Sequence, residues 1–102
     1  MADRSEEAQP DIVRNEHRGR FELGEAPDQG YLEFRQADGR LTLVHTEVAD
    51  DLEGQGVGSE LVRVALDHAE AAGLTVVPEC GFVAGWLDRH PDRAAELDIA
   101  EA

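Results

Sequence analysis

Three groups of residues in this sequence have the type and spacing to do chemistry. The first is the run Glu53-Gly54-Gln55-Gly56-Val57-Gly58-Ser59, with glycine at alternate positions. Glycine lacks a Cβ and reaches positive φ, so such a loop turns tightly and lets a ligand come close to its backbone. The helix pattern that follows leaves its first N–H groups unpaired and carries a partial positive charge at that end, so loop and helix start form an anion site suited to phosphate. The second group is His45 and Glu47 on a strand pattern, a titratable ring and a carboxylate that share a face if the strand alternates regularly. The third is Cys80, the single cysteine, just past a strand pattern and just before a helix pattern. A helix N-terminus is a setting that lowers a thiol's pKa. Each group also has an ordinary structural reading: the loop as a tight turn, His45 as a core histidine, Glu47 as an exposed strand-end carboxylate, Cys80 as a small buried hydrophobe.

The composition bounds what these groups can serve. A chain of 102 residues supports one hydrophobic core and no second domain. It carries 23 acidic residues against nine basic ones, all arginine, for a net charge of −14. The arginines are scattered among the acids, so no basic stripe is offered to DNA or RNA, and no nucleic-acid partner is expected. The run from Gly54 to Gly58 contains no acid, and backbone dipoles act over a few ångströms where distant carboxylates are screened, so a phosphate site survives in a polyanionic chain. A lone cysteine forms no internal disulfide and no cysteine-rich zinc site. His17, His68 and His90 have no partner at metal spacing, so no metal is expected. No run is long and apolar enough for a membrane span, and the first residues are polar and acidic where a signal peptide would be basic, then apolar; the expectation is a cytoplasmic protein with no membrane partner.

The elements that must position these groups follow in order. Residues 1–10 are polar, end at Pro10 and are expected to be a disordered tail ahead of a single domain over 11–102. Ile12-Val13 and Phe21-Glu22-Leu23 are short strand candidates, one bent strand or two. Tyr31 to Arg35 alternates with Leu32 and Phe34 toward the core, Asp38-Gly39 supplies a hairpin turn, and Leu41 to Val48 is the longest strand pattern. Strict alternation puts Leu41, Leu43, His45 and Glu47 on one face and Thr42, Val44, Thr46 and Val48 on the other. Apolar residues on both faces predict a strand covered on both sides. After the loop, Leu61, Val62, Ala65, Leu66, Ala69 and Ala72 recur at helical spacing, with Ser59 as the expected cap and Gly73 as the stop. Leu74 to Pro78 is the next strand, parallel to the long one or splayed beside it. A second helix begins near Phe82, with Phe82, Val83, Trp86 and Leu87 assigned to the core, and ends at His90-Pro91. The remainder is expected to add a turn through Leu97 and then fray.

Two familiar glycine motifs do not fit. The nucleotide-triphosphate loop needs Lys-Ser/Thr after its last glycine, and the dinucleotide fingerprint needs a glycine where Ser59 stands. The strand, loop and helix instead resemble the acetyl-CoA pyrophosphate loop of the Gcn5-related N-acetyltransferase superfamily, Gln/Arg-x-x-Gly-x-Gly/Ala, with Glu53 at the first position here. His45-Thr46-Glu47-Val48, the glycine loop, Val77-Pro78-x-Cys80-x-Phe82-Val83-x-x-Trp86 and His90-Pro91 together resemble the small single-domain members of that superfamily, over about Ile12 to Leu97. Arg93 stands where those relatives commonly carry tyrosine.

The resemblance implies an α+β fold of N-terminal antiparallel strands, a long central strand, glycine loop, crossover helix, further strand and short C-terminal helix, without the usual N-terminal helical lid. It implies acetyl-CoA as cosubstrate, with the backbone of Gly54, Gln55, Gly56, Val57, Gly58 and Ser59 holding the pyrophosphate and the strand near Val48 pairing with the pantetheine arm. Direct attack by an amine then needs a base, for which His45 is the candidate with Glu47 as weaker support. It also needs an acid for the leaving thiolate, for which Cys80 is the candidate, or a nucleophile in its place. The expected function is acetyl-CoA-dependent transfer to an unidentified amine, cationic acceptors suiting the acidic surface. The alternative is a CoA-binding module without transfer activity, in keeping with the missing lid. A lidless cleft also leaves room for a neighbouring subunit, so a dimer is compatible with the sequence.

Overall fold

The computed structural model describes residues 11–101; the expected tail lies outside them. Strands β1 (Ile12–Asn15), β2 (Arg20–Leu23), β3 (Gly30–Ala37), β4 (Arg40–Val48) and β5 (Thr75–Pro78) form one sheet in that order. The first four are antiparallel, so Ile12-Val13 and Phe21-Leu23 are two strands, and β5 joins β4 in parallel. Asp38 and Gly39 take φ of 57° and 77°, the paired left-handed residues of a tight hairpin whose twist matches its strands. A 3₁₀ turn, Asp50–Leu52, leads from β4 into the glycine loop; then come α1 (Val57–Ala72), α2 (Gly81–Arg89) and α3 (Pro91–Ala94).

Helix α1 forms because Leu61, Val62, Ala65, Leu66 and Ala69 make one buried stripe. It stops at Gly73, φ 69°, whose N–H bonds the carbonyls of Ala69 and Glu70. Ser59 does not cap it. Gly56, at φ 82°, occupies the N-cap with no side-chain bond, and Ser59 sits within the first turn. A glycine can adopt this entry geometry without strain, so the helix starts two residues earlier than its first polar capping side chain.

The stripe packs on Phe21, Leu32, Phe34, Leu41 and Leu43 of the sheet, and α2 adds Val83, Trp86 and Leu87 to the same core. Among the described residues no helix covers the other face of the sheet, contrary to the expectation of a strand covered on both sides. The apolar residues in both phases come from a bulge in β4: Phe34 pairs with Leu43 and Glu33 with His45, leaving Val44 as an extra residue. The phase of alternation shifts there. Leu41 and Leu43 point to the helices, as do Thr46 and Val48 beyond the bulge, while His45 and Glu47 turn outward and are 54% exposed.

Strand β5 pairs with β4 only from Arg40 to Leu43. Beyond that point Cys80 N–H bonds the Leu43 carbonyl and the chain turns into α2, so the β5 side of β4 from Val44 to Val48 pairs with no strand. The C-terminal segment does not simply fray. Ile99 bridges Val76 on the free edge of β5, with Val76 N–H to Asp98 O at 2.7 Å and Ala100 N–H to Val76 O at 2.9 Å.

Candidate functional site

The end of β4, the glycine loop and the start of α1 enclose a cleft of about 350 Å³. It is lined by Thr46 and Val48 of β4, by Leu52 to Gly54 and Gly56 to Ser59 of the loop and the first turn of α1, and by Phe82 of α2. Gly54 and Gly56 have φ of 85° and 82°, and nothing lies within 4 Å of where a Cβ would stand on either. The loop therefore needs glycine for its backbone conformation and leaves open space above it. Among the described residues, no hydrogen bond joins the N–H groups of Gly54, Gly56, Val57, Gly58 or Ser59 to a backbone carbonyl outside the regular elements. Those within the first turn of α1 have no carbonyl to reach. Gln55 differs from the other expected loop residues: its N–H bonds the Leu52 carbonyl at 3.3 Å and its side chain bonds Asp51 O at 3.1 Å, so it braces the loop and does not line the cleft.

Gly58 plays another part. A Cβ there would stand 2.9 Å from Phe82 Cζ, so the absent side chain lets the phenyl ring lie against the first turn of α1. Phe82 is 41% exposed and belongs to the cleft, not to the core as its periodicity suggested. Trp86 is in the core, 2% exposed. Its Nε1–H donates to Ser59 Oγ at 3.1 Å and its ring stacks on His90 at 3.8 Å, which ties the start of α1 to α2 beneath the cleft.

Cys80 is the N-cap of α2 and is buried, with Sγ 3.3 Å from Thr46 Oγ1. Burial pushes the thiol pKa up, but the Thr46 hydroxyl and the backbone N–H groups of Val83, Phe82 and Thr46 outweigh it and hold the thiol below its ordinary value. His45 is elsewhere: it stands on the outer face, its Nε2 2.9 Å from Glu47 Oε1 and its ring edge-on to Tyr31. The sequence candidates thus divide across the sheet. Thr46 and Cys80 meet on the helix side, while His45 and Glu47 meet on the open side.

Four residues that line the cleft were not among the sequence candidates: Thr46, Leu52, Glu53 and Phe82. Thr46 was placed on the wrong face, because a bulge leaves no mark in an alternation pattern; Phe82 was taken as core, because an aromatic residue at helical spacing usually is. Arg93 does not reach the cleft lining: it bonds Asp67 at 2.7 Å, Glu70 at 3.0 Å and Glu96 at 2.6 Å, clamping α3 to α1. Among the described residues no group of three or more His, Cys, Asp or Glu side chains is placed to hold a metal, and no helix is long and apolar enough to cross a membrane.

A strand ending in a glycine cradle, a helix pointing its free N–H groups into the same cleft and a partner strand that diverges beside it form an arrangement with known counterparts. A solution NMR structure of a GCN5-like protein from Staphylococcus aureus superposes with a TM-score of 0.69 at 25% identity, covering 90% of this chain and 89% of that one. Residues 20–97, which span every element just described from β2 to α3, match the family model of the GCN5-related N-acetyl-transferases, and to that family this chain belongs.

Proposed function

We propose that the protein transfers an acetyl group from acetyl-CoA to an amine, with the cofactor on the helix side of the sheet and the acceptor on the open side. The observation that carries this reading is the cleft itself: unpaired N–H groups at the start of α1 face an apolar wall of Val48, Leu52 and Phe82 beside an unpaired stretch of β4. A phosphate suits the first of these features, a pantetheine chain the second, and the open backbone of β4 suits the amides of that chain. When bound, acetyl-CoA supplies an acetyl thioester activated for attack by an amine.

The side chains divide the proton traffic between the two faces. On the open face, His45 accepts a proton at Nδ1 or Nε2 from an approaching ammonium group, and Glu47, 2.9 Å away, stabilises the resulting imidazolium. On the helix side, the Cys80 thiol donates its proton to a leaving thiolate, and the Thr46 hydroxyl holds Sγ in place. Because β4 is one strand thick, residues 45 and 46 serve opposite faces of the same position along the sheet.

The direct test is calorimetric binding of acetyl-CoA together with a thermal melt, followed by turnover against a panel of amines. Ligand at about 100 times its Kd adds about 2.7 kcal/mol to the fold, a shift of many degrees for a domain of this size. Absence of binding removes the reading. Binding without turnover on any amine favours the second reading, a CoA-binding module, which is supported by the open sheet face carrying, among the described residues, no element that would enclose an acceptor.

A further inference from the structure

No basic side chain lines the cleft that the reading above gives to CoA. Glu53 lines it instead, and the exposed Asp50 and Asp51 stand in the turn immediately before the loop. Among the described residues none of the three is in an ion pair. The one arginine in the first half of α1, Arg63, is 3.3 Å from Glu60 and lies over the Trp86 ring. A phosphate placed here is therefore attracted only by backbone N–H groups and the end of α1, and repelled by three nearby carboxylates and a chain of net charge −14.

These opposing forces differ in reach. Hydrogen bonds from the cradle act at contact and are little changed by salt. The carboxylates act through solvent, over a screening length of about 10 Å at 0.1 M salt and about 3 Å at 1 M. Raising the ionic strength removes the repulsion and leaves the cradle, the reverse of a site lined with lysine or arginine. The same field penalises each extra negative charge on the ligand.

We infer that this cleft binds pantetheine phosphates more tightly as ionic strength rises, and that it reads the pyrophosphate without reading a ribose phosphate, so that ligands of lower charge are preferred at low salt. This rests on the CoA reading and specifies its ligand class and its dependence on conditions. Glu53 is the residue that sets it, being the carboxylate within the lining.

The experiment is calorimetric binding of acetyl-CoA and of acetyl-dephospho-CoA, which lacks the ribose phosphate, from about 50 mM to about 500 mM NaCl. Affinity is measured directly because salt also relieves repulsion within the fold and would shift a melt by itself. The acetyl-CoA Kd is expected to fall about threefold or more across the series, with the dephospho ligand the tighter binder at low salt and the two converging at high salt. Glu53→Gln, an exposed position, should tighten acetyl-CoA about threefold at low salt and flatten the slope, with Asp51→Asn as a second, weaker step. Affinity that declines with salt, dephospho ligand bound about tenfold more weakly than acetyl-CoA, or an unchanged slope in both variants would each overturn the inference while leaving the CoA reading in place. Failure of both ligands to bind at any salt would instead remove the CoA reading, and this inference with it.

Discussion

The two faces of the sheet at the end of β4 carry different kinds of machinery. On the helix side the candidate groups are the unpaired N–H groups of a glycine loop, held by a braced turn and a buried tryptophan, with the buried Cys80 and Thr46 beside them. On the open side they are side chains, His45 and Glu47, each 54% exposed and tied to little besides one another. A backbone site is specified by conformation and so tolerates no Cβ at the wrong angle. A side-chain site on an open face is specified by chemistry and can be altered without disturbing the fold. The single extra residue of the Val44 bulge is what assigns neighbouring residues to the two.

The comparison breaks most visibly at the cradle. Gly56→Val forces a β-branched residue to φ near 82°, and the loop must change shape to relieve a strain of about 1–3 kcal/mol. Charge-assisted hydrogen bonds worth about 1.5–3 kcal/mol each are lost with it, so acetyl-CoA binding should weaken by more than about a hundredfold in calorimetry. Near-normal binding would reduce the loop to a turn.

Cys80→Ala should leave cofactor affinity unchanged and lower kcat by about a hundredfold, the scale of a general acid. His45→Gln should also spare binding and lower kcat, by about tenfold. If His45→Gln changed cofactor affinity and not kcat, the division of labour between the faces would be wrong. The thiol can be followed without turnover: its alkylation by iodoacetamide should have a midpoint below that of an unperturbed cysteine in a short peptide measured alongside. Thr46→Val removes a donor that favours the thiolate and leaves the burial that opposes it, so the midpoint should rise. Thr46→Ser should restore it.

The smallest effect expected is structural. Trp86→Phe keeps an aromatic ring but loses the bond to Ser59 Oγ and part of the buried indole, and should cost about 1 kcal/mol or more in denaturant unfolding, with weaker cofactor binding because the start of α1 loosens. Glu47→Gln on the open face should not change stability measurably.

Local chemistry fixed a good part of this molecule in advance. Asp38-Gly39 announced the hairpin, the stripe from Leu61 to Ala69 the crossover helix, Gly73 its stop, and the strand after it a parallel partner of β4. The glycine loop and the run from Val77 to Trp86 carried the family. All of these depend on interactions between residues close in sequence, or on a short motif whose conformation only a few residue types permit. Where reading failed, the deciding contact was distant. Ser59 met the requirements of a cap, but its hydroxyl accepts from Trp86, 27 positions away. Phe82 had core spacing, yet lies in the cleft because Gly58 leaves room for its ring.

By itself, then, the sequence determined the order and kind of the elements, the positions where the loop needs glycine and the absence of any lysine near it. The tertiary structure alone decided that His45 and Cys80 lie on opposite faces, that Thr46 is the thiol's partner and that Glu53 lines the cleft. Alternation along a strand is a local rule, whereas a bulge is settled by how β3 and β4 align and by which of two phases lets Leu43 and Val48 both reach the helices.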